Sequence, residues 1–178
     1  VTAYDCYQRK EYNAALKNFN SAITIQESPA VNKLDINTIY GAALSAKNGE
    51  IYSESIKWAS PLVDLEPDNA MYHIVLIESY ESMGDLEGQL NVIKNARLQI
   101  PQSQDIIFKE VNYYISTGDN ESLLASLDEA VQKDSTNAML YFALGSTYAS
   151  LGDLEQAINA YQASIVLDPA LVDAHNNL

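Results

Sequence analysis

The chain repeats itself every 34 residues. Gly84, Gly118 and Gly152 stand one such step apart, as do Tyr80, Tyr114 and Tyr148, and Ala96, Ala130 and Ser164. Pro67, Pro101, Ser135 and Pro169 continue the step. A fixed period of this length constrains the fold more than any other feature. Each period is one supersecondary unit that cannot bury its apolar stripe alone, so copies must stack. The clearest unit is Asn137 to Pro169, which reads as two short amphipathic helices joined by Leu151-Gly152-Asp153.

Local chemistry supports helix–turn–helix units. In each Gly-Asp pair, Gly supplies a left-handed residue after one helix and Asp caps the next. Asp153 with Gln156 forms a candidate capping box. Pro67, Pro101 and Pro169 stop the second helices, and Asn69, Ser103 and Asn137 are placed to cap the helices that follow. Gly145 and Ala157 are small where two helices of a unit cross, and larger side chains there would force them apart.

In this register the chain resembles the tetratricopeptide repeat family. Tyr141 stands where the family prefers Trp, and Leu144, Gly145, Tyr148, Ala157, Tyr161 and Pro169 follow at the family spacing. The unit from Ala70 offers His73, Leu76, Tyr80, Ile93 and Pro101, with Gln89 where Ala is usual. The unit from Gln104 is degenerate but keeps the register through Ile107, Val111, Tyr114, Leu123, Leu127 and Ser135. The resemblance implies an all-α fold, a right-handed superhelical solenoid of antiparallel helix pairs with about five units.

The expected organisation is a single array over 1–178. It comprises a partial repeat at 1–29, a repeat at 30–69 with an extended first helix, repeats at 70–103, 104–137 and 138–171, and the start of another at 172–178. Ser28-Pro29 reads as an N-cap followed by Pro at the first helical position, so the first helix of the second unit is expected from about Ala30 to Asn48. A kink is expected at Pro61, which lacks a backbone donor. The turn at Gly49 reads as one residue longer than the later ones. Half-units at both ends predict that the chain is a fragment of a longer protein.

Charge narrows the partners. The net charge is −14. Residues 1–33 hold four basic and three acidic groups, whereas 34–178 hold six basic and 21 acidic. Such a chain repels nucleic-acid phosphates and anionic membrane surfaces, and no apolar run is long enough for a membrane span. Neither nucleic acid nor membrane insertion is expected. Cys6 is the only cysteine, which excludes an intrachain disulfide and reads as a small buried hydrophobe. The compartment stays open: cytoplasmic, or periplasmic or secreted if a signal peptide has been removed.

Nothing in the sequence reads as catalytic. HExxH, CxxC, GxSxG and phosphate-loop patterns are missing. His73 and His175 occupy equivalent repeat positions three units apart and read as packing residues. No cofactor, metal site or enzyme activity is expected. The resemblance instead implies protein–protein interaction, with the first helix of each unit lining a concave groove for a peptide or amphipathic helix. Transferred to this register, the groove comprises Tyr40, Leu44, Met71, Ile74, Glu78, Phe108, Asn112, Met139, Phe142 and Ser146, with Asn37 beside them and Tyr4 and Tyr7 extending the set.

The Lys/Arg clamp by which some family members grip acidic chaperone tails is not expected. Its positions hold Tyr40, Ile74, Phe108 and Phe142, or Asn37, Met71, Asp105 and Met139, and Lys109 is the only clamp-like cation. The asparagine ladder of sugar-transferring members is likewise not matched. The partner is therefore expected to be a protein or peptide whose identity the sequence does not give. Two alternatives are a regulatory arm of a larger enzyme and a self-associating module joined through an uncapped C-terminal end.

Overall fold

The computed structural model describes residues 2–26 and 35–177. The described residues form eleven helices and no strand: α1 (Ala3–Gln8), α2 (Tyr12–Gln26), α3 (Ile36–Asn48), α4 (Tyr52–Leu65), α5 (Ala70–Met83), α6 (Leu86–Gln99), α7 (Gln104–Thr117), α8 (Asn120–Lys133), α9 (Ala138–Leu151), α10 (Leu154–Leu167) and α11 (Val172–Asn177). Contacts divide the chain into two compact parts, Val1–Ile106 and Ile107–Leu178.

The turns within helix pairs share one device. The N–H of Asp85, Asp119 and Asp153 donates to the C=O of Tyr80, Tyr114 and Tyr148, five residues earlier. That bond satisfies an otherwise orphaned helix carbonyl and requires a left-handed residue between. Gly84, Gly118 and Gly152 supply it, with φ of 71°, 71° and 81°. The Asp side chains then cap the next helix, accepting from the N–H of Gly88, Ser122 and Gln156 at 2.9, 3.1 and 3.2 Å.

The two N-terminal turns make the same bond without glycine. Ile51 N–H donates to Ala46 C=O and Glu11 N–H to Cys6 C=O, and the left-handed residues are Glu50 (φ 62°) and Lys10 (φ 61°). Glu50 lies one period before Gly84. Gly49, the visible sequence marker, has φ −87° and only ends α3. Between α3 and α4 the turn holds three residues, against two in the later turns.

Helix α3 starts at Ile36, not near Ala30. Asp35 is extended and its carboxylate accepts from the N–H of Asn37 and Thr38, which fixes the start of the helix there. Residues 30–34 lie outside those described. Pro61 stands inside α4, which continues to Leu65.

In Val1–Ile106 the core is built from groups of three successive helices. Cys6, Leu16, Phe19, Ile23 and Ala46 join α1, α2 and α3. Ile39, Leu62, Val63, Tyr72 and Leu76 join α3, α4 and α5. Trp58 packs against both. Successive helices run antiparallel: Ser79 near the end of α5 donates to Ser55 near the start of α4 at 2.9 Å. Alternate helices run parallel, since Tyr4 Oη donates to Asn37 C=O at 3.2 Å at one end of α1 and α3, and Asn48 Nδ2 donates to Tyr7 Oη at 2.8 Å at the other.

In Ile107–Leu178 the same arrangement holds. Ser164 Oγ near the end of α10 donates to Ala138 C=O at the start of α9 at 2.8 Å. Ala157, Tyr161 and Ala174 join α10 to α11. A buried side-chain pair ties α7 to α8, with Ser126 Oγ donating to Glu110 at 2.6 Å. The fold is therefore all-α and made of stacked helix pairs.

Both histidines serve the stack. A carbonyl only accepts, so the Nε2–H of His73 donates to Pro67 C=O at 2.8 Å, and that of His175 to Pro169 C=O at 3.1 Å. Each ties the first turn of one unit to the proline that closed the previous one.

Candidate functional site

The odd-numbered helices carry the expected partner face, and the structure sorts its residues by what they touch. In Val1–Ile106, Met71 is 54% exposed. Tyr40, Leu44 and Ile74 are half-buried. Tyr40 stacks edge-on against Tyr72 with centroids 5.2 Å apart, and its hydroxyl is buried without a hydrogen-bond partner. Burial, followed by the charges of Tyr7 and Glu78, raises its pKa. Glu78 carries an ion pair: Lys47 Nζ lies 2.5 Å from its carboxylate, joining α3 to α5. Glu78 is the one acid of the expected groove, and the structure adds Lys47 as its partner. Residues 31 apart in sequence, at the ends of neighbouring parallel helices, gave no local signal.

A cavity of about 320 Å3 opens between α1 and α3. Tyr4, Tyr7, Tyr40 and Leu44 line it together with Asn37, Phe19 and Gly41. Phe19 forms its inner wall and meets Tyr4 edge-on at 5.0 Å. A Cβ on Gly41 would lie 2.5 Å from the Phe19 ring, so glycine is what lets that ring sit against α3. Phe19 belongs to a second helix, and Gly41 falls off the usual small-residue position. Both were absent from the expected set for those reasons.

In Ile107–Leu178, Asn112 is exposed and Met139 is 42% exposed. Phe108, Phe142 and Ser146 are half-buried. Phe142 lies tilted against Tyr161 at 5.8 Å, and Tyr161 Oη donates to Ser146 at 3.2 Å. These two residues therefore help seat their own partner helix. Tyr161 is also what Gly145 accommodates, because a Cβ there would stand 2.6 Å from the ring.

Among the described residues, no group of three or more His, Cys, Asp or Glu could hold a metal ion. None of the described helices is long and apolar enough to cross a membrane.

Comparison with known proteins places this architecture. A family profile described as Tetratricopeptide repeat matches residues 126–159, and one described as TPR repeat matches 145–178. The TPR repeat-containing protein YpiA of Bacillus subtilis is 25% identical over 149 residues, covering 84% of this chain and 35% of that protein. The chain thus spans about a third of the relative's length.

Solved structures share the fold. A thermophilic TPR protein of Thermus thermophilus matches with TM-score 0.59 and 23% identity over 98% of this chain and 92% of that one. MamA of Desulfovibrio magneticus matches at 0.68 with 14% identity over 95% and 92%. YrrB, a TPR protein with an unusual peptide-binding site, matches at 0.67 with 17% identity over 98% and 87%. With its period, its turns and its stacked pairs, the chain carries tetratricopeptide repeats, matched over residues 126–178, and has the helix-pair fold of these TPR proteins.

Proposed function

We propose that the odd-numbered helices bind a peptide or an amphipathic helix of a partner protein. The observation that carries this reading is the side-chain character of that face. It combines half-buried aromatic and aliphatic groups with solvent-exposed methionines at equivalent positions. Met71 and Met139 are two periods apart, and both are exposed at the start of a first helix. Met is flexible and polarisable and fits varied apolar surfaces, and amides such as Asn37 and Asn112 stand by to meet a partner's backbone. The description of YrrB, a fold relative, as peptide-binding agrees with the reading.

The structure guides the choice of test. Phe142 packs on Tyr161, so replacing it would disturb the stack as well as the face. Met71 and Met139 avoid that confusion. Affinity capture with the parent protein should lose its partner in a Met71→Asp, Met139→Asp double variant. Capture should persist in a Leu98→Asp, Val166→Asp control, whose residues are both 80% exposed on second helices. Circular dichroism should show unchanged helicity in both. Loss in the control alone would place binding on the other face.

A further inference from the structure

Methionine is among the residues most often buried in folded proteins, yet this chain exposes all three of its own. Met71, Met83 and Met139 are 54%, 51% and 42% exposed, so a small oxidant in solution reaches each side chain. Two of them share one repeat position. In successive units that position reads Asn37, Met71, Asp105 and Met139, and all four residues are exposed. Polar side chains already stand there in two units. The two methionines alone make the position apolar.

The helix starts do not depend on these thioethers. Asn69 and Asn137 accept from the backbone N–H of Met71 and Met139 at 3.2 and 3.1 Å, which caps α5 and α9 whatever side chain follows. A change confined to the sulfur therefore alters the face and leaves the fold in place. Hydrogen peroxide makes such a change. The sulfur lone pair attacks one peroxide oxygen, the O–O bond breaks, and a proton shift lets the other oxygen leave as water. Sulfur is oxidised by two electrons and the peroxide is reduced by two. The sulfoxide turns a flexible apolar side chain into a polar one and disrupts interfaces built on methionine. The repeat position then becomes polar in all four units.

We propose that Met71 and Met139 form a reversible redox switch on the partner face. Hydrogen peroxide converts both to sulfoxides and releases the partner, and methionine sulfoxide reductases restore binding. The inference rests on the peptide-binding reading above and adds its regulation. Cys6, the other oxidisable sulfur, is buried among α1, α2 and α3. Met83 is exposed away from the equivalent pair and serves as an internal control. The test uses the parent protein, and its probe is the partner band that the untreated protein retains in affinity capture. Peroxide is applied until mass spectrometry shows one added oxygen on each methionine.

Affinity should fall at least about tenfold, the scale of losing one buried methionine side chain. The two epimer-specific sulfoxide reductases should restore it. A Met71→Leu, Met139→Leu variant keeps the face apolar at similar volume. It should hold the partner after the same treatment, although its Met83 is oxidised. Circular dichroism should show unchanged helicity throughout. Undiminished capture by the oxidised protein, or an equal loss in the leucine variant, would overturn the switch and leave peptide binding standing. A loss that the reductases do not reverse would overturn it as well. An untreated protein that retains nothing would overturn the peptide-binding reading, and the switch with it.

Discussion

Single residues in this chain are fixed by rings that lie across them. Gly145 faces the Tyr161 ring so closely that even a methyl group would collide with it. Tyr161 is buried, packs on Phe142 and hydrogen-bonds Ser146, so it cannot simply swing aside. Gly145→Ala gains up to about 1 kcal/mol of helix propensity, while overpacking costs about 1–3 kcal/mol. The net expectation is a loss of up to about 2 kcal/mol, measured by denaturant unfolding. Unchanged stability would mean that the ring has room to move. The sequence marked Gly145 as small for a helix crossing, and the structure supplies the ring responsible. Gly41 carried no such mark, because its ring, Phe19, comes from the preceding unit across a longer junction.

Elements were legible where the repeat speaks in its own vocabulary. The helices α5 to α10, their Gly-Asp turns and their Asn caps follow directly from the period. The first helix of the second unit did not. Ser28-Pro29 is a strong local start signal, yet Asp35 caps α3 with two backbone bonds and a third from the Thr38 hydroxyl at 2.7 Å. The turn after α3 was also only half legible. Gly49 drew attention, while the left-handed position falls on Glu50.

A left-handed non-glycine residue costs about 1–2 kcal/mol. Glu50→Gly should therefore stabilise the chain by about 1 kcal/mol, raising the denaturation midpoint, and Lys10→Gly should act in the same direction. A lower midpoint would show that the Glu50 side chain contributes more than the backbone loses. Of the expected partner face, the residue types and their helices were legible from register alone. The Lys47–Glu78 pair and the cavity wall were not, since both depend on side chains meeting across helices.

At the scale of the whole molecule, charge and burial set how stability responds to pH. The Thr38 hydroxyl is the main cause lowering the pKa of Asp35, with backbone N–H bonds from Thr38 and Asn37 adding to it. The Ser122 hydroxyl does the same for Asp119. A carboxylate with a depressed folded pKa stabilises fully above the unfolded value of about 3.9 and loses that contribution as pH falls through the folded value. Asp35→Asn with Asp119→Asn should accordingly flatten the fall in melting temperature below about pH 4.

Tyr4, Tyr40, Tyr72, Tyr114 and Tyr148 behave in the opposite sense. Burial is the first cause raising each of their pKa values. Their contribution is present below the unfolded value of about 10 and is lost as pH rises through the folded values. Melting curves from acid to alkali should show both limbs, with tyrosinate absorbance appearing late on the alkaline one.

The most direct test of the partner-binding account uses the chain's three methionines as probes. Met71 and Met139 lie on the proposed face. Met83 is also exposed, but it lies 12 residues after Met71 on the same helix, about 120° further round. Peroxide oxidation of the parent protein, alone and in its captured complex, reports all three sites at once by mass spectrometry. The account predicts that partner binding slows sulfoxide formation at Met71 and Met139 and leaves Met83 unchanged. Protection of Met83 with Met71 and Met139 still reactive would contradict it.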